Sequence, residues 1–234
     1  MNRFIVKKYE KMASTNTFLK ENADSFSDRT VIIADVQTSG RGRLTKTFHS
    51  EDRGGLYMSV LLKGYDAPQE TTVRVAVCVH RALKNAFGMT CGIKWVNDIY
   101  YNGRKLCGIL CERTGDGSII CGIGINVLKR DFPDEIKDIA CALGEFVHSA
   151  DKDVMLNAIL SCFDEAMSED FASVMAYYKA NCFVIGMKVR VLTGLDDYEA
   201  VVLDITDDGN LIVLKGDGAA VSLNSGEISL KIRK

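Results

Sequence analysis

The chain has 234 residues, of which 47% are hydrophobic and 26% are charged, and this composition excludes a largely disordered protein. Its 29 lysines and arginines balance 31 aspartates and glutamates, so the net charge of -2 gives no global positive field for nucleic acid. An apolar run at residues 119–128 is too short to span a membrane. The amino terminus returns to charge too early for a signal peptide, and the eight cysteines contain no C-x-x-C pair. We therefore expect a reduced, cytoplasmic protein with no membrane partner.

The first part of the chain alternates strand-like and helix-like patterns. Strands are predicted at residues 31–36, 56–62, 105–112 and 118–127. Helices are predicted at residues 71–87 and 154–178, the second with a break near Ser168. Together these elements predict an α+β fold with a mixed sheet and helices packed on one side.

The sequence pattern changes after Gly186, where short apolar segments alternate with turns rich in glycine and aspartate. Short strands are predicted at residues 187–192, 198–205, 211–215, 219–223 and 227–232. Such spacing is typical of a small β-barrel or an open SH3-like module. We expect a catalytic domain at residues 1–185 and a small C-terminal SH3-like β-barrel at residues 186–234.

The loop that follows the predicted strand at residues 31–36 is rich in glycine and in positively charged residues. It reads Gly40-Arg41-Gly42-Arg43, with Lys46 close behind. Glycine permits close backbone approach to a ligand, and arginine and lysine bind phosphate and carboxylate groups. The loop is neither a P-loop nor a dinucleotide-binding fingerprint. It is typical of a site for an anionic ligand, with a solvated basic turn as the alternative.

Two further segments place charged side chains beside aromatic or small residues. Residues 94–98, Lys-Trp-Val-Asn-Asp, hold a cation, an amide and a carboxylate beside the only tryptophan, with a plain turn as the alternative. Lys105 enters a predicted strand that continues through Gly108. This arrangement aims an ammonium group into a pocket whose wall a ligand can approach closely, while an ordinary strand-edge lysine is the alternative.

The last two candidate segments offer amides and hydroxyls. Residues 122–126, Gly-Ile-Gly-Ile-Asn, end an apolar strand with an amide that needs partners when buried. A β-bulge with a structural asparagine is the alternative. Ser14, Thr15 and Asn16 precede a predicted helix, where they either cap the helix or face a polar ligand. No spacing of histidines and cysteines is typical of a zinc site.

Together and in this order, the segments resemble the motifs of the biotin protein ligase family. Shared features are the Ser-Thr-Asn start, the Gly-Arg-Gly-Arg loop, the segment Lys-Trp-Val-Asn-Asp (Lys-Trp-Pro-Asn-Asp in the family), Arg-Lys-Leu-Cys-Gly-Ile-Leu-Cys-Glu, Gly-Ile-Gly-Ile-Asn, and Gly-Glu-Ile-Ser at residues 226–229. The resemblance runs from about Tyr9 to Leu230. It implies the class II synthetase-like biotin/lipoate ligase fold. Because the catalytic pattern begins by residue 14, we expect the monofunctional form, without an N-terminal DNA-binding domain.

The resemblance also implies the reaction. Family members activate biotin with MgATP to biotinyl-5′-AMP and transfer biotin to one lysine of a carrier domain of a biotin-dependent carboxylase or decarboxylase. Biotin and the ATP–Mg²⁺ complex are then substrates, and no tightly bound metal is expected. Family members are often dimers, so a homodimer is expected, with no DNA partner.

Site roles carry over to the positions that match the motifs. The catalytic residues are expected to be Lys105, Arg43 and Asp98. Biotin is expected to bind Ser14, Thr15, Asn16, Gln37, Gly40, Arg41, Gly42, Arg43, Lys105 and Gly108. ATP is expected to bind Arg41, Arg43, Lys46, Phe48, Lys94, Trp95, Asn97 and Asn126.

The chain departs from the family pattern at four positions. Thr45 replaces a glycine, Lys46 an arginine, Phe48 a tryptophan and Val96 a proline. We expect catalysis to survive, with altered ATP affinity or loop ordering, because lysine keeps the charge but lacks the bidentate fork of arginine. Two alternatives stay open: a lipoate ligase or octanoyl transferase of the same fold, and a non-catalytic biotin sensor.

Overall fold

A computed structural model describes residues 3–43, 46–50, 52–193, 196–224 and 227–230. The larger sheet has seven strands: β1 (Ile5–Met12), β2 (Thr30–Gln37), β3 (Gly55–Leu62), β4 (Gly92–Lys94), β5 (Asp98–Tyr101), β6 (Arg104–Arg113) and β7 (Ile119–Asn126). Their order is β1-β2-β3-β7-β6-β5-β4. Strand β1 runs parallel to β2, and the other neighbours are antiparallel. The predicted mixed sheet is confirmed.

In the part of the chain that the structure describes, four α-helices accompany this sheet: α1 (Thr15–Asn22), α2 (Pro68–Phe87), α3 (Lys152–Ser168) and α4 (Phe171–Asn181). The long helical segment is interrupted after Ser168, as predicted. Asp170 caps the next helix, because its carboxylate accepts a hydrogen bond from the Ser173 amide. The Arg74 guanidinium of α2 donates to the carbonyls of Ala166 and Glu169 at 2.8 Å each. It thereby supplies hydrogen-bond donors to backbone carbonyls at the C-terminal end of α3, which lack partners within the helix.

Helices lie on both faces of the sheet, which corrects the predicted one-sided packing. Helices α2 and α3 cover the face that carries Val31 and Val60. Leu19 of α1 packs in a separate cluster with Ile32 and Leu61 on the opposite face. Because β2 and β3 are apolar at successive positions, both faces must be covered, and the eight-residue α1 covers part of the second.

The C-terminal sheet has five strands: β8 (Lys188–Leu192), β9 (Asp197–Ile205), β10 (Leu211–Lys215), β11 (Ala220–Leu223) and β12 (Glu227–Leu230). Their order is β11-β10-β9-β8-β12, with antiparallel neighbours throughout. Strands β11 and β12 occupy opposite edges and do not pair within the described residues. The sheet is therefore an open SH3-like module, one of the two forms predicted from the sequence, and not a closed barrel. The domain division at residue 185 stays a prediction.

The turn between β9 and β10 docks against the segment between β4 and β5. The Trp95 indole N–H donates to the Gly209 carbonyl at 2.9 Å, and only 4% of Trp95 is exposed. The Gln69 amide donates to the Asp208 carbonyl and to Asn210 Oδ1, both at 3.0 Å. Gly209 has a φ of 84°, a left-handed conformation that glycine adopts without strain.

The described residues include no helix that could cross a membrane.

We predict that Trp95→Phe lowers the free energy of unfolding by about 1 kcal/mol or more, because the buried Gly209 carbonyl loses its donor. Urea denaturation followed by circular dichroism measures this difference. An unchanged unfolding midpoint at an unchanged slope would show that the indole N–H does not stabilise the contact between the two sheets.

Candidate active site

A cavity of about 870 Å³ opens on the face of the larger sheet that carries α1. All but one of the residues assigned to the site from the sequence line it. They are Ser14, Thr15, Asn16, Gln37, Arg41, Gly42, Arg43, Lys46, Phe48, Lys94, Trp95, Asn97, Asp98, Lys105, Gly108 and Asn126. Gly40 lies behind the lining, where a Cβ atom would collide with Ser50 Oγ and the Phe48 carbonyl oxygen. Its missing side chain therefore lets the loop fold back on itself.

One end of the cavity is a buried set of hydroxyls and amides. Thr15 donates to Gln37 Oε1 through its backbone N–H at 2.8 Å and its hydroxyl at 3.1 Å. Gln37 Nε2 in turn donates to Ser50 Oγ at 3.1 Å. Ser14 caps α1, with its Oγ accepting from the Thr17 amide at 3.4 Å. The capping interpretation of Ser14 is thus confirmed, and the neighbouring groups form an ordered polar surface in the cavity wall.

Asn16 is held from three directions beside this polar end. Its Nδ2 donates to the Leu110 carbonyl and to Glu112 Oε2, both at 3.1 Å. Its Oδ1 accepts a hydrogen bond from Ser59 Oγ at 2.6 Å. A Cβ atom at Gly122 would collide with Asn16 Oδ1, so glycine is required for this position of the amide. The side chain cannot rotate without breaking these contacts.

Lys105 and Asp98 form an ion pair inside the cavity. The Lys105 Nζ lies 2.7 Å from Asp98 Oδ1, with side-chain exposures of 32% and 17%. Asp98 lies opposite Gly108 in the β5–β6 register. A Cβ atom at Gly108 would lie 3.1 Å from Lys105 Nζ and 3.1 Å from Phe48 Cε2. Glycine at this position therefore leaves room for the ammonium, next to a carboxylate that holds it.

The segment between β4 and β5 is anchored to neighbouring backbone. Asn97 Nδ2 donates to the Ile109 carbonyl at 2.7 Å, and the Ile109 amide donates to the Asn97 carbonyl at 2.9 Å. The Tyr178 hydroxyl donates to the Val96 carbonyl at 3.0 Å. Lys94 Nζ lies 5.4 Å from the centroid of the Tyr100 ring. These contacts hold Asp98 in place. The indole N–H, which is the only hydrogen-bond donor of the Trp95 side chain, is already bonded to the Gly209 carbonyl.

The other end of the cavity is organised by Arg130. Its guanidinium donates to Asn126 Oδ1 at 2.6 Å and to the Tyr57 hydroxyl at 2.9 Å, and it pairs with Asp52. Asn126 Nδ2 donates to the Cys141 carbonyl at 3.1 Å. Burial raises the pKa of Tyr57 to about 12, against the opposing effect of Arg130. The partners that the buried Asn126 amide needs are thus present.

Phe48 lies across the middle of the cavity. A Cβ atom at Gly124 would lie 2.7 Å from its Cε1, so the ring rests directly on the β7 backbone. Lys105 Nζ lies 5.9 Å from the ring centroid, and the Tyr57 ring lies edge-on at 6.3 Å. The Gly42 amide donates to the Lys46 carbonyl at 2.8 Å and closes the loop before Phe48. Thr45 and Gly226 lie outside the described residues.

Sequence reasoning missed three residues that hold the assigned ones. Ser59 and Arg130 belong to no motif that was singled out. Glu112 ends the segment that begins at Arg104, but no role was assigned to it. Ser59 lies two positions before Leu61, so the two side chains point to the same face of the predicted strand. This alternation was the sequence signal that could have identified Ser59. The described residues contain no group of three or more histidine, cysteine, aspartate or glutamate side chains that could hold a metal.

Comparisons with known proteins agree with this architecture. Residues 9–128 match the biotin/lipoate A/B protein ligase family, and residues 184–231 match the biotin protein ligase C-terminal domain. The chain is 33% identical to the bifunctional ligase/repressor BirA of Bacillus subtilis over an alignment 225 positions long, and the match covers 90% of this chain and 69% of that protein. It is 28% identical to the biotin–[acetyl-CoA-carboxylase] ligase of Mycobacterium tuberculosis, covering 92% of this chain and 85% of that one.

A solved structure shows the same fold. The biotin protein ligase from Aquifex aeolicus in complex with biotin and ATP superposes with a TM-score of 0.85 and 30% sequence identity. The match covers 96% of this chain and 97% of that one. The fold, the two matched domains and the ordered motifs lead to one assignment. The chain belongs to the biotin/lipoate A/B protein ligase family.

Proposed function

We propose that this protein is a biotin protein ligase, which activates biotin with ATP and transfers it to a lysine of a carrier domain. The observation that carries the proposal is one continuous cavity that joins the polar end at Thr15 and Gln37, the Lys105–Asp98 pair and the Asn126 end. The similar ligase from Aquifex aeolicus is described with biotin and ATP bound. One cavity can therefore hold the polar head group of biotin, its reacting carboxylate and the nucleotide side by side.

The polar end suits the ureido head of biotin, which is a compact group of two N–H donors and a carbonyl acceptor. Thr15, Asn16 and Gln37 supply hydroxyl and amide groups at fixed positions. Ile109 and Ile123 line the cavity beyond them and offer apolar walls for the ring and the acyl chain. The carboxylate end of biotin then points toward Lys105.

Adenylation joins two anions. A biotin carboxylate oxygen attacks the α-phosphorus of ATP, the bond from that phosphorus to the bridging oxygen of the β-phosphate breaks, and pyrophosphate leaves. Lys105, Arg43 and Lys46 line the cavity and reduce the charge repulsion at this step. We propose that Mg²⁺ arrives as part of the ATP complex. The loop around Arg43 shields the mixed anhydride from water.

Transfer then moves the biotinyl group to the carrier. The acceptor lysine amine attacks the acyl carbon, the bond to the AMP oxygen breaks, and AMP leaves. A free lysine has a pKa of about 10.4, so the amine must lose a proton before or during attack. Asp98 is the carboxylate that lines the cavity beside Lys105, and we assign it the role of orienting the amine and taking up this proton.

The partner follows from the chemistry of transfer. The Mycobacterium tuberculosis relative is named for acetyl-CoA carboxylase, so we propose a biotin carboxyl carrier domain as the acceptor. The acidic residues Asp207 and Asp208 at the β9–β10 turn do not suit a phosphate backbone, and we propose no DNA partner for this chain. The eight cysteines are free thiols, which agrees with a reducing compartment such as the cytoplasm. Homodimerisation stays a prediction.

The proposal is tested by incubating the purified protein with ATP, biotin and a biotin carboxyl carrier domain, followed by intact-mass spectrometry. We expect one biotin per carrier domain. A parallel reaction with lipoate and a lipoyl domain is the control, and we expect no modification there. Modification of the lipoyl domain alone would assign the chain to lipoate ligation. Tight biotin binding without modification of either domain would indicate a sensor.

A further inference from the structure

We propose that Arg130 is a positioning residue that makes the Asn126 end of the cavity select adenine over 6-oxopurines, because it fixes the direction of the Asn126 amide. This inference rests on the proposed function, in which ATP occupies that end of the cavity. Arg130 belongs to none of the motifs shared with the biotin protein ligase family. Both Arg130 and Asn126 line the cavity.

The Asn126 amide lies between two partners of opposite chemistry. Its Oδ1 accepts from Arg130 Nη2 at 2.6 Å, and its Nδ2 donates to the Cys141 carbonyl at 3.1 Å. A guanidinium only donates and a carbonyl only accepts, so a half-turn of the amide would place two donors together on one side and two acceptors on the other. Asn126 is 4% exposed, so water is not at hand to replace the lost partners. The amide is therefore held in one direction.

The Arg130 guanidinium is itself held in place from several sides. Its side chain is 10% exposed and pairs with Asp52, whose Oδ1 accepts from the Gly54 amide at 2.7 Å. The Tyr57 hydroxyl accepts from Arg130 at 2.9 Å and donates to Asp52 Oδ1 at 3.4 Å. The guanidinium carbon lies 4.8 Å from the centroid of the Phe132 ring. Arg130 therefore donates to Asn126 from a fixed position before any ligand binds.

The charge of Arg130 is not directed to a phosphate group. Asp52 balances it at the same guanidinium, and burial keeps the pair together. A phosphate would have to compete with this carboxylate for the same donors. Arg130 therefore acts on the nucleotide through the Asn126 amide.

An amide of fixed direction distinguishes purines at positions 6 and 7. The two contacts leave Asn126 one lone pair on Oδ1 and one hydrogen on Nδ2 for a ligand. Adenine presents a donor at N6 and an acceptor at N7, which an asparagine amide matches with two hydrogen bonds, whereas a 6-oxopurine presents acceptors at both positions. An amide that could rotate would turn its Nδ2 toward the 6-oxo group. Arg130 prevents this rotation.

Arg130→Met tests the inference, because methionine keeps a long side chain but offers no donor to Asn126. Biotin-dependent pyrophosphate exchange is measured with ATP and with inosine triphosphate, which carries a 6-oxo group. We expect the wild type to prefer ATP in kcat/KM and the variant to lose about tenfold or more of this preference, the range of discrimination that a bidentate amide–base pair supplies. The change should appear in KM for the nucleotide rather than in kcat, since Lys105 at the reacting centre is untouched.

Two further substitutions at the same position separate orientation from folding. Arg130→Gln keeps a polar partner for Asp52 but can present either a donor or an acceptor to Asn126, so it should lose the preference as Arg130→Met does. Arg130→Lys keeps a group that only donates, so most of the preference should return. Loss of the preference in Arg130→Lys but not in Arg130→Gln would contradict the inference.

Tyr57→Phe is the matched control, because it removes another partner of the guanidinium but leaves the contact between Arg130 and Asn126. It should keep the wild-type preference for ATP. An unchanged preference in Arg130→Met, whether exchange with both nucleotides falls equally or with neither, would overturn the inference. Equal use of both nucleotides by the wild type would overturn it as well. Absence of exchange by the wild type with either nucleotide would count against the proposed function instead.

Discussion

Lys105→Ala is expected to lower biotin-dependent pyrophosphate exchange by on the order of 10²–10³-fold, the loss seen when one donor to a developing charge is removed. The ammonium that reduces repulsion between the carboxylate and the α-phosphate disappears. Its partner Asp98, 2.7 Å away, is left as an unpaired negative charge that faces the same ligands. Both changes disfavour the adenylation transition state.

Lys105→Arg separates charge from geometry. Arginine keeps the positive charge, but its planar fork places the charge differently, so part of the exchange activity should return. The fold should survive either change, since a partly exposed ion pair contributes about 1 kcal/mol or less. Near-normal exchange by a correctly folded Lys105→Ala protein would contradict the assignment of Lys105 to the reacting centre.

Asp98→Asn should slow transfer of biotin from preformed biotinyl-5′-AMP to the carrier lysine by about 10²-fold or more, the usual effect of a positioned general base. Asparagine keeps the shape of the side chain and a hydrogen-bond acceptor for Lys105, but it cannot take up the amine proton. Single-turnover transfer to the carrier domain, measured with preformed adenylate, isolates this step from adenylation.

The dependence of this transfer on pH provides the control. If Asp98 deprotonates the acceptor amine, raising the pH should partly rescue the variant, because more of the amine is then already neutral. Transfer by Asp98→Asn at the wild-type rate at pH 7 would rule out this role and leave Asp98 as the partner of Lys105 alone.

The core of the fold could be predicted because its strands and longest helices carry strong periodic patterns. The predicted strand at residues 56–62 corresponds to β3 (Gly55–Leu62), and the predicted helix at 71–87 lies within α2 (Pro68–Phe87). Strand β1 (Ile5–Met12) was missed because it is an exposed edge strand in which adjacent pairs of charged residues interrupt the apolar ones, so it shows neither a period of two nor a buried face. Short β4 (Gly92–Lys94) gives too little pattern to detect.

The candidate site was predictable to the extent that its residues stand in compact segments. Lys105 and Gly108 lie three positions apart on β6, so their relation is visible in the sequence. The pairing of Lys105 with Asp98 is not, since it depends on the β5–β6 register, which shifts where Leu106 of β6 is left without a partner on β5. Arg130 and Ser59 act across strands. Alternation with Leu61 places Ser59 on one face of its strand, but no local pattern shows which residues Ser59 or Arg130 contacts. Trp95 shows the same limit: its indole meets Gly209, 114 positions away.

Pyrophosphate exchange into ATP, measured with the purified protein and biotin, lipoate, octanoate or no acid, tests the central claim most directly. Exchange that depends on biotin alone is the result that we predict, because the Thr15–Gln37 end is built for a polar head group and Lys105 for the carboxylate. Exchange with lipoate or octanoate but not with biotin, or no exchange with any acid, would contradict the account.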